Sequence, residues 1–172
     1  MELFLMRHAD AGRPDPLRFP DDRQRPLSEQ GTQEHRRMAR ALVPLLQPLD
    51  RILSSPLLRA RQTAAMVAEA LQCTERVEET VILGGECTVG RFIGLLEDYP
   101  RHARILCVGH EPAMSQLSAV FLDGDGFSSI AFAPGAVLGL TFPGHPAPGR
   151  GALRIFLRPP ELLSLLQGLE QP

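Results

Sequence analysis

The sequence predicts an α/β protein: a three-layer α/β/α sandwich around a mostly parallel central sheet. Three observations carry this expectation. Short apolar runs of strand length alternate with longer segments of helical periodicity along the 172 residues. The clearest runs, Glu2 to Met6 and Ala103 to Val108, are nearly continuous in apolar character, as strands buried on both faces are. Each ends abruptly in polar residues, Arg7-His8 and Gly109-His110. Right-handed crossovers between parallel strands place the intervening helices on both faces of the sheet.

The elements follow in chain order. A first strand stops near Arg7. Residues 10 to 26 hold Pro14, Pro16, Pro20 and Pro26 among Asp and Arg, which predicts the longest surface loop of the chain. Ser28-Glu29 then caps an amphipathic helix through Met38, Ala41, Leu42, Leu45 and Leu46 that stops at Pro48. Arg51 to Ser54 is a strand, and Ser55-Pro56 opens a second helix from Leu57 to Leu71. A weak strand near Arg76 to Glu78 and a helix capped by Thr88 precede the Ala103 to Val108 strand. A helix from Pro112 to Leu122, strands near Val137 to Phe142 and Ala152 to Leu157, and a helix starting at Pro159-Pro160 complete the chain. No internal repeat is visible, and the length suits one domain spanning residues 1–172.

Composition narrows the function. With 44% apolar and 22% charged residues the chain is expected to fold as a globular protein with its own core. All 18 basic residues are Arg, and the formal charge is −2, so no basic stripe suits a nucleic acid. No apolar run approaches the ~18 residues of a spanning helix, and the first residues do not read as a signal peptide, so a cytoplasmic protein without membrane partners is expected. Cys73, Cys87 and Cys107 have unrelated spacings, which argues against a disulfide framework or a zinc ribbon.

Parallel sheets bind ligands outside the carboxyl ends of their strands. Arg7-His8, Ser54-Ser55-Pro56 and Gly109-His110 are expected at such ends and converge on one crevice. A lone His past a strand is more often a turn imidazole bonded to a carbonyl than a reactive group. Two of them at two strand ends make that reading harder to apply twice. The segment Ser55-Pro56-Leu57-Leu58-Arg59-Ala60-Arg61-Gln62-Thr63 adds two guanidinium groups near a helix amino end, where free N–H groups suit a phosphate. Neighbours two apart on a helix diverge, so one of Arg59 and Arg61 is a candidate solvated charge.

Taken together these segments resemble the histidine phosphatase superfamily, also called phosphoglycerate mutase-like. Its pattern of a strand ending in Arg-His-Gly, a Ser-x-x-x-Arg-Ala-x-x-Thr segment and a second His after a strand and Gly corresponds to Arg7-His8-Ala9, Ser55 to Thr63, and Gly109-His110-Glu111-Pro112. Arg25-Pro26-Leu27-Ser28-Glu29-Gln30-Gly31 is similar to the family's approach to its first helix. The short length and Arg-His-Ala-Asp-Ala are most similar to the small bacterial phosphohistidine phosphatases of the SixA type. Ala9 departs from the family's Gly and would be strained only if that position needs a positive φ or a close backbone approach.

The resemblance implies a metal-independent, cofactor-free phosphatase. It makes His8 the nucleophile that becomes a transient phosphohistidine and places Arg7, Arg59 and His110 around the phosphoryl group. Cations positioned on a loose, charge-spread transition state do most of such catalysis. The leaving-group acid is less marked: Glu86 in Leu83-Gly84-Gly85-Glu86 is the nearest match to the family's acid, with Asp10 and Glu111 as rivals. A phosphohistidine-bearing protein is the expected partner, since only about thirty residues separate the second helix from the Ala103 strand, too few for a capping domain over a small substrate. Small phosphate esters under a phosphomonoesterase or mutase are the alternative. A non-catalytic phosphate-binding module, and a metal hydrolase using His8, Asp10, His110 and Glu111, are further ones.

Overall fold

The structure, a computed structural model, describes residues 1–126 and 129–169. Six strands form one sheet: β1 (Glu2–Arg7), β2 (Arg51–Ser54), β3 (Val77–Glu79), β4 (Arg104–Gly109), β5 (Val137–Thr141) and β6 (Ala152–Leu157). Their order across the sheet is β3-β2-β4-β1-β5-β6. β3, β2, β4 and β1 pair in parallel, whereas β5 runs antiparallel to β1, and β6 antiparallel to β5. The expected architecture holds, with an antiparallel margin. An apolar strand reads alike in either direction, so its sense was not legible in the sequence.

The helices are α1 (Glu29–Leu46), α2 (Leu58–Leu71), α3 (Val89–Glu97), α4 (Ala113–Asp123) and α5 (Pro159–Leu169). Side chains alternate across a strand, and that alternation divides the core. Phe4 and Met6 of β1 pack with Met38 and Leu42 of α1, Val67 of α2 and Leu162 of α5. Leu3 and Leu5, on the other face, pack with Phe92 of α3 and Leu117 and Phe121 of α4. The register continues the pattern, with Phe4 opposite Leu106 and Leu5 opposite Cys107. Cys107 is therefore a core residue, and burial pushes its thiol well above the usual range. Among the described residues no helix is long and apolar enough to cross a membrane.

The expected helix limits are close to those found. Ser28 caps α1, its Oγ accepting from Gly31 N–H at 2.9 Å. The Ser28 N–H and Oγ in turn donate to the Asp10 carbonyl (3.0 Å) and carboxylate (2.5 Å). The first turn of α1 is thus fastened to the segment that leaves β1. This contact explains Gly31: a Cβ there would lie 2.1 Å from the Asp10 carbonyl oxygen, so only glycine admits the approach. Ala9 takes the place of a glycine without strain, because Gln72 is the only non-glycine residue with a positive φ among those described.

Replacing Gly31 by Ala forces the Asp10 backbone, two residues past His8, away from α1. We expect a loss of roughly 2–3 kcal/mol of stability, as for an overpacked core, read as a lower urea midpoint. A midpoint equal to that of the wild type would show that the approach is not tight.

Candidate active site

Three strand ends build the crevice. Parallel pairing sets Arg7 opposite Gly109, and the His8 N–H donates to the Gly109 carbonyl at 3.0 Å. The chains therefore leave β1 and β4 side by side, with the His8 and His110 rings 5.0 Å apart between centroids. On the far side of β4, Ser54 pairs with Val108 and the Ser55 N–H donates to the Val108 carbonyl at 3.0 Å. That brings Ser55 Oγ to 2.8 Å from His110 Nε2. Arg59 lies one turn later on α2, and Thr63 a further turn on. Thr63 Oγ1 donates to the Arg59 carbonyl (2.7 Å) and accepts from Ala9 N–H (3.0 Å), stitching α2 to the chain just past His8.

The hydrogen bonds fix the chemistry of His8. Its Nδ1 is 2.7 Å from the Ala9 carbonyl oxygen, which can only accept, so the proton sits on Nδ1 and Nε2 keeps its lone pair. Burial lowers the His8 pKa to about 4, against the Ala9 bond and with the help of nearby Arg59, Arg7 and Arg25. His110 is lowered to about 3, chiefly by burial and then by His8 and Arg59. Two neutral imidazoles thus stand among permanently charged arginines, and one of them presents a free nitrogen suited to nucleophilic attack.

Arg7 Nη1 donates to the Phe132 carbonyl at 2.7 Å, which orients its guanidinium. Arg7 Nε, Arg59 Nε and His110 Nδ1 are buried without a hydrogen-bond partner. A buried donor left unsatisfied costs about 1–3 kcal/mol. Orphan nitrogens on three residues around one crevice are an arrangement that an oxyanion satisfies.

The structure thus groups Arg7, His8, Arg59 and His110, with Ser55 beside them. Arg61 diverges from Arg59 as helical spacing requires and pairs with Glu79 at 2.9 Å. The proposed acids lie otherwise. The Glu86 side chain is 86% exposed and pairs with Arg91 at 3.0 Å. Asp10 accepts from Ser28 and, at 3.3 Å, from Gly12 N–H. Glu111 accepts from Phe132 N–H (3.0 Å) and Ser115 Oγ (2.7 Å), so it holds the loop whose carbonyl orients Arg7. No group of three or more His, Cys, Asp or Glu among the described residues is arranged to hold a metal ion, so His8, Asp10, His110 and Glu111 do not gather as one ligand set.

Sequence reasoning missed Asp22 and did not assign a role to Arg25. Both are drawn in by the folding of the Pro-rich loop, whose residues Asp22–Gln24 form a short 3-10 turn over Arg59. The Arg59 Nη2 lies 3.1 Å from the Asp22 carboxylate. Arg25 could have been suspected from its place in Arg25-Pro26-Leu27-Ser28. Asp22 carried no signal, being one of several Asp residues in a polar loop.

The chain as a whole is similar to known proteins. Residues 3–98 match the model of the histidine phosphatase superfamily, branch 1. The phosphohistidine phosphatase SixA of Escherichia coli K12 is 32% identical over 127 residues, covering 73% of this chain and 76% of that one. An uncharacterized protein of a Picosynechococcus strain is 30% identical over 142 residues, or 81% and 84% of the two chains. The solved structure of the protein histidine phosphatase SixA complexed with tungstate superimposes with a TM-score of 0.76 at 28% identity, covering 94% of this chain and 99% of that one.

The buried imidazoles make the fold acid-sensitive. His35, wholly buried between α1 and α2, is lowered to about 4 by burial, with only a contact to the Thr63 backbone opposing. His8, His35 and His110 all have folded-state pKa values below the ordinary 6.5, so between pH 6.5 and about 4 the unfolded chain binds protons that the folded chain refuses. Stability is therefore complete above that window and falls as the pH drops through it, His35 alone contributing on the order of 3 kcal/mol. Urea unfolding at stepped pH measures this. A flat profile across the window contradicts it, and His35→Leu should reduce the slope.

Proposed function

Given that the chain belongs to the histidine phosphatase superfamily, branch 1, we propose that this phosphatase is a protein phosphohistidine phosphatase acting through a phosphoryl group carried on His8. The observation that supports the finer reading is the state of the carboxylates. Asp10, Glu86 and Glu111 are each engaged by hydrogen bonds or an ion pair. The Asp22 carboxyl is held below the usual range, first by its hydrogen bond from Arg25. Each of these carboxylates already has a partner within the protein.

A phosphohistidine substrate does not need that proton. His8 Nε2 attacks phosphorus, the P–N bond to the substrate imidazole breaks, and a substrate ring already protonated on its other nitrogen leaves neutral. His8, which keeps its Nδ1 proton on the Ala9 carbonyl, takes the same charge state that the substrate ring gives up. The exchange between two imidazoles therefore moves no net proton. Water then attacks the phosphorus, the P–Nε2 bond breaks, and dihydrogen phosphate departs from the neutral His8 ring. Arg7, Arg59 and His110 hold the equatorial oxygens in both steps through their unpartnered nitrogens. For an ester the first step expels an alkoxide, which a positioned acid normally assists about 10²–10⁴-fold.

The chain between α2 and β4 supports a protein-borne substrate. It contains only β3, two short 3-10 turns and α3, with no inserted segment to enclose a small molecule. The remote surface of a partner protein supplies binding that a small ester lacks in an open crevice.

kcat/KM for a phosphohistidine-bearing domain should exceed that for phosphoserine, phosphotyrosine and sugar phosphates by at least about a hundredfold. A clear preference for a sugar phosphate would favour a small-molecule phosphomonoesterase instead. Turnover should continue in the presence of a chelator. His8→Ala should abolish both turnover and an acid-labile, base-stable phosphoenzyme, and a near-normal rate in that variant would overturn the covalent route.

A further inference from the structure

Asp22 belongs to none of the sequence motifs, yet its backbone and side chain both grip Arg59. Its carbonyl accepts from Arg59 Nη1 at 2.8 Å, and its carboxylate Oδ2 stands 3.1 Å from Nη2. The other carboxylate oxygen accepts from Arg25 Nε at 2.6 Å. Arg25 is itself buried and fixed, its Nη1 donating to the carbonyls of Ala11 (2.8 Å) and Gly12 (3.1 Å). Asp21, one residue earlier, caps the turn by accepting from Arg23 N–H at 3.0 Å. A continuous chain of bonds thus runs from the backbone just past His8, through Arg25 and Asp22, to Arg59.

A guanidinium is planar, so binding both terminal nitrogens fixes the direction of the Nε–H as well. That third nitrogen is buried and has no partner. We propose that Asp22 is a positioning residue for phosphoryl transfer: by closing the outer end of Arg59 it aims the Nε edge at the phosphoryl oxygens. This rests on the phosphate-pocket reading above. An arginine without such a clamp would have to order a long, rotamer-rich side chain each time phosphate binds, and the transition state would lose a fixed donor.

Positioning and plain Coulomb attraction give opposite signs. A carboxylate near an anion pocket repels phosphate, so its removal should tighten phosphate binding if charge alone mattered. If Asp22 acts by aiming Arg59, its removal loosens binding. Orthophosphate inhibition constants decide between them, measured for wild type, Asp22→Asn, Arg59→Ala and the double variant, with kcat and KM for a phosphohistidine-bearing domain.

Asp22→Asn should weaken orthophosphate about tenfold in the wild-type background and by less than about twofold once Arg59 is Ala, because interacting residues couple and a distant structural effect does not. The Asp22→Glu variant keeps the charge beside Arg25 and Arg59 and carries the same comparison if Asn lowers stability; its longer arm should again weaken orthophosphate only when Arg59 is present. Tighter orthophosphate binding in Asp22→Asn, or equal weakening in both backgrounds, would overturn the positioning role. A wild-type protein that neither binds orthophosphate nor turns over phosphohistidine would overturn the functional reading instead.

Discussion

The parallel pairing of β1 with β4 is the constraint on which the rest of the site depends. Arg7 opposite Gly109, followed by the bond from His8 N–H to the Gly109 carbonyl, sets where both histidines leave the sheet. Register is enforced from below by the core. A shift of one residue would turn Phe4 and Met6 toward α3 and α4 and Leu3 and Leu5 toward α1 and α2, exchanging every buried side chain of the strand. It would also turn His8 away from His110. The same packing that stabilises the sheet therefore aligns the imidazoles. Gly135 seals the other flank, its N–H shared between the Arg7 and His8 carbonyls at 3.2 and 3.1 Å.

Electrostatics follow from that placement. Burial takes water from His8 and His110 and leaves both neutral, while the arginines around them keep their charge. A neutral imidazole next to cations is a competent nucleophile toward an anion that those cations attract. The arrangement carries a cost in unsatisfied nitrogens, and it spends its nearby carboxylates on architecture. Glu111 holds Phe132 and, through it, Arg7; Asp10 holds the cap of α1; Asp22 holds Arg59. Each acid next to the crevice acts on the position of another group.

Residues at the ends of regular elements were legible because periodicity and abrupt polarity mark those ends. Arg7 ends a buried strand, His8, Ser55 and His110 each follow one, and Arg59 sits in the first turn of a helix whose apolar spacing is plain. Helical geometry also foretold that Arg59 and Arg61 would separate. What could not be read depends on loops closing in space. Asp22 reaches Arg59 across 37 positions of sequence, and Arg7 meets the Phe132 carbonyl across 125. Glu86 and Glu111 looked alike as acids near glycine and histidine, and only the folded environment separates a solvent-facing ion pair from a loop anchor. The direction of β5 was equally hidden, since alternation and hydropathy have no sense of chain polarity.

The position of β1 inside the sheet divides the molecule by rate of opening as well as by function. Its amides bond to β4 on one side and β5 on the other, so releasing them from the ladder requires the centre of the sheet to separate, the opening that lies closest to global unfolding. The Pro-rich segment above Arg59 has few backbone pairs, such as Phe19 to Asp15 and Ser28 to Asp10, and is tied down mainly by side chains. Hydrogen exchange would therefore find its slowest amides beneath His8 and much faster ones a few ångströms away in the segment that carries Asp22. His8 rides on the part of the chain that opens least, and the clamp on Arg59 rides on a part that can open without it.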